Sequence, residues 1–376
     1  MIKILGPNDP ALEALSESIK ENPGLECELT IVAWENYRAK LDETLASSEP
    51  EFDAVCIPGH IWLPQLANDG LLKPFDGLLR NIPPSVLKNY DASDVFPSIQ
   101  EECQFTGADG VSKQFVMPLF TDGHIVFYRS DLVSLPEVIA PSQWHTYLQA
   151  LTLPDGVHPF AMKAHNSEIF LDFLPYFWDF GAQLWDDKGN ALFNSEAGAK
   201  ALDYYASLRK YCPDNTDTYG NGEILDAINT GKVAIITSWG GQAAGIFDLK
   251  NNTNAASIKT AALQNAWNAT WGVTIPAKAK DEKAAQTLAV LMQLMGKDGD
   301  AKVTRIAGSP VRISSYSEQE KQKYPWLHSQ QALLENCRML PVDPAFGAYL
   351  DGLYSGVYKT FTGKESATSA LADAAK

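Results

Sequence analysis

Residues 114–132, QFVMPLFTDGHIVFYRSDL, constrain the fold more than any other stretch, because two apolar strands meet head to tail at a polar kink. Residues 114–120 are rich in β-favouring Phe and Val, yet Pro118 cannot donate to a central ladder, which predicts an edge strand or a crossover. Asp122 stands at the break, residues 124–128 resume the apolar run, and Arg129-Ser130-Asp131-Leu132 reads as a turn into helix. A strand that leaves one sheet and enters another across a polar residue is what a hinge between two lobes requires. Length agrees, since 376 residues exceed the ~100–200 that one compact core usually organises.

The first third alternates strand and helix. Ile2-Lys3-Ile4-Leu5 predicts a strand, and Asp9 and Pro10 then open an amphipathic helix on which Leu12, Leu15 and Ile19 recur at helical spacing. Residues 28–34 and 52–58 predict two more strands, each followed by a helix, at 36–47 and 60–68. Such βαβ repetition implies a parallel sheet with right-handed crossovers, in which ligands sit beyond the carboxyl ends of the strands. Asn8, Asp9, Trp34, Glu35, Gly59, His60, Ile61 and Trp62 occupy those ends. The middle of the chain turns helical, over 168–180 and 195–211, and 232–238 predicts a buried strand ending at Trp239. Strands return at 259–263 and 270–276, followed by a helix over 281–295. Residues 251–257 read as a surface loop.

Several segments together resemble the extracellular solute-binding proteins of ABC importers, the group that binds sugars and oligosaccharides (maltose-binding-protein-like, family 1). Tyr128-Arg129-Ser130-Asp131-Leu132 is similar to the family's Tyr-Asn-x-Asp-Leu, with Arg129 in place of the usual Asn. Leu66-Ala67-Asn68-Asp69-Gly70-Leu71-Leu72-Lys73-Pro74-Phe75-Asp76 resembles its helix followed by Gly-Leu-x-x-Pro-Leu-Asp. Phe193-Asn194-Ser195-Glu196-Ala197, Gly231-Lys232-Val233-Ala234-Ile235-Ile236 leading to Trp239-Gly240, and Gly308-Ser309-Pro310-Val311-Arg312 follow in the family's order. The resemblance implies an α/β, two-lobe periplasmic-binding-protein fold (type II), each lobe a sheet flanked by helices, joined by a multi-strand hinge with a ligand cleft between the lobes. Residues 1–120 and 266–307 would form the N-terminal lobe, and 121–265 and 308–376 the C-terminal one, with a third crossing near 307–312 and a helical tail on the second lobe. It further implies a monomer that closes around a small carbohydrate, mono- to trisaccharide or glycoside, and delivers it to permease subunits.

The aromatic pattern gives that reading a chemical basis. Trp34, Trp62, Trp239 and Trp271 fall at strand ends or beside glycines rather than in helical stripes, unlike Trp144, Trp178, Trp185 and Trp326, which read as packing residues. A flat ring matches the C–H face of a pyranose while neighbouring polar side chains satisfy hydroxyls. Asp122, whose carboxylate can accept two hydroxyls, is the foremost polar candidate, with a turn-forming role as its competitor. His60, His124, Glu35, Asn268, Gly240 and Arg312 complete the expected ligand-binding set, Arg312 having an inter-lobe ion pair as its alternative.

Other classes lose ground. A net charge of −16 opposes nucleic acid or an anionic membrane as partner. No run approaches the ~20 apolar residues that span a bilayer. Cys27, Cys56, Cys103, Cys212 and Cys337 are widely spaced without a Cys-x-x-Cys, so no metal is expected; free thiols are the simpler reading, although Cys27 and Cys56 could pair. Asp186-Asp187-Lys188-Gly189-Asn190 lacks the terminal Glu of a calcium loop and reads as a solvated turn. There is no nucleophile elbow, phosphate loop or His-Glu-x-x-His, and no cofactor or catalytic residue is expected. A glycoside hydrolase is the competing enzyme class, although its barrel would need eight βα units. A cytoplasmic sugar sensor of the same fold is the third reading. The chain opens on a strand without an export signal. The resemblance favours a mature periplasmic or extracellular protein, lipid anchoring left open, over a cytoplasmic one.

Overall fold

A computed structural model describes residues 1–186, 190–340 and 346–376, with the side chain of His60 also outside the description. The strands, in chain order, are β1 (Ile2–Pro7), β2 (Cys27–Val32), β3 (Ala54–Pro58), β4 (Gln104–Thr106), β5 (Ser112–Gln114), β6 (Met117–Thr121), β7 (His124–Arg129), β8 (Val138–Ile139), β9 (His158–Ala161), β10 (Val233–Trp239), β11 (Ile258–Leu263) and β12 (Thr270–Thr274). They build two mixed five-stranded sheets and one small hairpin, and the chain divides into two compact units around the two sheets.

Unit 1 comprises Met1–Asp122, Asn268–Leu327 and Met339–Pro344, and its sheet has the order β2-β1-β3-β12-β6. β1 pairs in parallel with both β2 and β3, as the βαβ reading requires, whereas β12 runs antiparallel to β3 and β6. The predicted edge strand is there: β6, with Pro118, ends the sheet. Pro118 faces Gly272 across a register shift, and a Cβ on Gly272 would fall 2.3 Å from the Met117 carbonyl oxygen, so only glycine fits the close approach. The Pro10–Glu21 helix starts at Asp9, whose carboxylate accepts the Ala11 N–H at 2.8 Å, and it buries Leu12 and Leu15 against the sheet.

Unit 2 comprises Gly123–Trp267, His328–Arg338 and Ala345–Lys376, with sheet order β8-β11-β7-β10-β9. β7 runs antiparallel to β10 and β11, and β10 pairs in parallel with β9. The Ile169–Asp179 and Glu196–Ser207 helices pack together, and the tail helices Phe346–Phe361 and Ala367–Ala374 cover them. The 251–257 loop is pinned from inside by Asn252, whose buried amide donates to the Ile246 carbonyl at 2.7 Å.

One boundary needs correcting. Residues 308–327, placed with the second lobe on sequence grounds, pack in unit 1, and the chain passes to unit 2 after Leu327 rather than near 307–312. The cause is Arg312. Its wholly buried guanidinium donates to the carbonyls of Asp91 and Met295, each at 3.2 Å, and lies 4.6 Å over the Tyr90 ring, with Asp94 Oδ2 at 3.7 Å. Its own N–H reaches the buried Asp300 carboxylate at 3.2 Å. A guanidinium with this many partners is an anchor, since separating it would strand a buried charge.

All five cysteines are free thiols, and all but Cys27 and Cys337 are buried. Among the described residues no helix is long and apolar enough to cross a membrane, and no group of three or more His, Cys, Asp or Glu could hold a metal ion. Of the Asp186–Asn190 turn, residues 187–189 lie outside the described residues; Asn190 donates its N–H and side-chain amide to Asp186 at 2.8 and 2.7 Å.

Candidate functional site

In unit 1 the carboxyl ends of β1, β2 and β3 carry an aromatic cluster. Trp34 opens the Trp34–Ala46 helix rather than closing a strand as expected, β2 having stopped at Val32. Ala33 offers that helix no side-chain cap; Asn8, just past β1, accepts the Trp34 N–H at 2.8 Å instead. Helical spacing puts Tyr37 and Arg38 within reach of the same face. Trp34 stacks on Trp62 of the Gly59–Asn68 helix, with ring centroids 5.8 Å apart and planes 1° from parallel. Trp271, at the start of β12, meets Trp34 edge-on at 5.7 Å and stacks on buried Phe120 of β6 at 5.7 Å. Arg38 lies 4.6 Å over Trp62.

Beneath these rings sits Tyr37, wholly buried, its hydroxyl donating to the carbonyls of Cys56 and Leu5 on β3 and β1. Burial pushes that phenol well above its ordinary range, so it stays neutral and serves as a fixed post. Trp34 nevertheless remains 48% exposed, and Trp62 and Trp271 are half-buried. A large ring packed on other rings yet open to solvent offers a rigid apolar surface. Glu35 is exposed beside it, and His60, on the same helix as Trp62, has a side chain outside the described residues.

Unit 2 treats its aromatic residue differently. Trp239 ends β10 and is the cross-strand partner of His124, the first residue of β7. The His124 ring touches it at 4.1 Å between centroids, Trp267 meets it edge-on at 5.4 Å, and the Lys163 ammonium lies 4.1 Å over its face. Lys163, just after β9, is fully buried, bonded to Asn221 and 3.4 Å from Glu168. Behind His124 stands Asp172, whose carboxylate accepts the Tyr205 hydroxyl at 2.8 Å and the Thr237 hydroxyl at 3.0 Å. His124 Nδ1 is 3.2 Å from Asp172 Oδ1, close enough for ionic attraction though off hydrogen-bond geometry. Burial holds the imidazole below its usual pKa against the pull of Asp172. Trp239 is only 9% exposed, and His124 1%. The Gly240 N–H is taken by the Gly123 carbonyl at 2.9 Å.

A third cluster involves Asn268, which the sequence suggested for ligand contact. It is fully buried in unit 1, donating to Glu102 Oε2 at 2.8 Å and accepting from Thr121, while Thr270 also donates to Glu102. Its amide is consumed inside the protein. Burial raises the Glu102 carboxyl to about 8 despite those donors. Asp122 is half-buried, its N–H donated to the Ala269 carbonyl at 2.7 Å, beside this cluster. Asn268 and Arg312 therefore leave the ligand-facing set: each side chain is buried and committed within unit 1. The structure brings Trp34, Trp62 and Trp271 together in one unit, and His124, Trp239 and Gly240 together in the other.

Sequence reasoning did not pick out Lys163, Asp172, Tyr37, Arg38, Phe120 or Glu102. Arg38 and Tyr37 had a usable signal, four and three residues after Trp34. Lys163 and Asp172 had none, because what brings them to Trp239 is β9–β10 pairing and a helix packed behind the sheet.

A family model described as bacterial extracellular solute-binding protein matches residues 8–295. The mannitol-binding protein of Pseudomonas aeruginosa is 25% identical over 330 residues, spanning 82% of this chain and 72% of that protein. A ribitol-bound ABC transporter solute-binding protein from Agrobacterium radiobacter superposes with a TM-score of 0.83 at 18% identity, over 100% of this chain and 96% of that one. Maltose-bound MalE3 of T. maritima does so at 0.79 and 18%, over 100% and 97%. An Agrobacterium vitis solute-binding protein with bound D-mannitol does so at 0.78 and 20%, over 100% and 96%. These likenesses establish the two-lobe α/β fold.

Proposed function

The chain belongs to the bacterial extracellular solute-binding proteins, and from that premise we propose that it is the substrate-binding component of an ABC importer, capturing a small carbohydrate or polyol. The observation that supports this best is the Trp34–Trp62–Trp271 cluster, rigidly backed and left open at the carboxyl ends of a parallel β-strand set. Aromatic faces of this kind suit the C–H surfaces of sugars, and relatives of the chain carry mannitol, ribitol and maltose. The protein works as a monomer outside the cytoplasm, free or lipid-anchored, and hands its ligand to permease subunits.

It also releases that ligand unchanged. An enzyme must hold its transition state more tightly than its substrate, and a transport receptor has no use for that preference. The buried carboxylates Asp172, Asp300 and Glu102 are each bonded to neighbouring hydroxyl or amide groups. The test is a thermal-shift screen of D-mannitol, ribitol, maltose and acidic sugars, followed by recovery of the bound sugar after long incubation. A melting shift with intact sugar is expected. No shift with any of them would remove the carbohydrate reading, and time-dependent appearance of shorter sugars would replace it with a glycosidase.

A further inference from the structure

The Leu327–Asn336 helix meets the end of the unit 2 sheet through contacts that no motif marks. Ser329 donates to the Thr260 hydroxyl of β11 at 2.8 Å. Leu333 lies on Gly123, just before β7, where a Cβ would fall 2.7 Å from its Cδ2, and Gln330 lies on Gly240, just after β10, where a Cβ would fall 2.8 Å from its Nε2. Two glycines thus let the helix approach the backbone on either side of the His124–Trp239 pair. Gln330 is 1% exposed, yet neither its carbonyl oxygen nor its amide nitrogen has a hydrogen-bond partner among the described residues. The same holds for Nε2 of His124.

Burying an amide with neither end paired is costly, and Leu or Met would fill the same helical position without that cost. Three orphaned polar atoms, two on Gln330 against Gly240 and one on His124 opposite Trp239, point to a partner from outside the chain. Their chemistry specifies it. An amide offers an acceptor and a donor side by side, which matches two adjacent hydroxyls. The Asp172 carboxylate, 3.2 Å from Nδ1 of His124, favours the proton on that nitrogen electrostatically, which leaves a lone pair on Nε2.

We propose that Gln330 is a specificity residue that reads a vicinal diol of the ligand, Oε1 accepting one hydroxyl and Nε2 donating to its neighbour, with His124 Nε2 accepting a further hydroxyl. This rests on the carbohydrate reading above and goes beyond it, by naming the His328–Arg338 segment as a source of ligand contacts and the diol as the feature it recognises.

The experiment uses Gln330→Met, similar in length and apolar, with whichever of D-mannitol, ribitol, maltose and the acidic sugars shifts the wild type. The unliganded variant should melt at or above the wild-type temperature, and its affinity for that sugar should fall at least tenfold. Deoxy analogues of the same sugar, each lacking one hydroxyl, should bind the wild type at least tenfold more weakly at two adjacent positions, and should bind Gln330→Met no worse than the parent sugar does. A variant that melts well below wild type with unchanged affinity would make Gln330 a structural amide and overturn the proposal, leaving the transport function standing. Should the variant not fold, the analogue series on wild type still decides: no sensitive adjacent pair, no diol contact. If no sugar of the whole screen, acidic sugars included, shifts the wild type, the function proposal falls first and this one with it.

Discussion

Both units set tryptophan at the end of a sheet, but unit 1 packs its rings on other rings and unit 2 packs its ring on charges. In unit 1, Trp34, Trp62 and Trp271 rest on Tyr37 and Phe120, and the assembly stays open. In unit 2, Trp239 is covered by Lys163 and His124, which are held in turn by Glu168 and Asp172. An aromatic residue at a strand end is therefore not one kind of thing. Stacked rings leave a face free for an apolar partner, whereas a ring under an ammonium has its face occupied and works as part of the support.

The sharpest way to break this contrast is Trp239→Ala. If the ring is support, the variant should lose about 3–5 kcal/mol of stability in urea denaturation. A loss below about 1 kcal/mol with weakened sugar binding would make Trp239 a platform like Trp34. Next in size is the buried polar cluster of unit 1. Glu102 is neutral when folded up to about pH 8 and ionises near 4.5 when unfolded, so the folded state holds the extra proton between those values. Its contribution is complete below about pH 4.5 and is lost as pH rises towards 8, by at most ~1.4 kcal/mol per pH unit. Denaturation of Glu102→Gln against wild type from pH 5 to 9 should show the variant gaining relative stability with pH; parallel profiles would sink the assignment.

Trp62→Ala comes third. Its ring is half-buried, so the expected effect is on binding: about 1.4 kcal/mol, or tenfold, by calorimetric titration, with the melting temperature nearly kept. Unchanged affinity would return the ring to packing. Arg38→Ala should be smallest, since an exposed cation over a ring contributes about 0.5–1 kcal/mol. A few-fold loss of affinity is the expected reading, and a loss as large as that of Trp62→Ala would mean that Arg38 meets the ligand itself.

How far the sequence carried can be seen at particular residues. Pro118 announced an edge strand because a missing N–H is a local fact, and Leu12 and Leu15 announced a helix because spacing is local too. Trp34, Trp62 and Trp271 were legible once the βαβ pattern showed where strand ends lie. Arg312 and Asn268 were misplaced because their partners, Asp91, Met295 and Glu102, are remote in sequence, and a polar residue in a crossing segment looks the same whether it faces a ligand or the interior. Gln330 gave no sign, since an orphaned amide is defined only by what fails to surround it.

The sheet order of unit 1 also bears on when the protein can fold. Its central strand β3 finds an antiparallel neighbour in β12, and Cys56 pairs with Val273, made only after most of unit 2 has been synthesised. Arg312 then ties in a stretch made later still. Contacts so distant delay native pairing, as the loops they close must first be ordered. Unit 2 differs, since all five strands of its sheet fall within Gly123–Trp267 and only its covering tail helices come late. A ribosome would thus carry most of this chain before the core of unit 1 could close, while the sheet of unit 2 can pair as soon as its own segment has emerged.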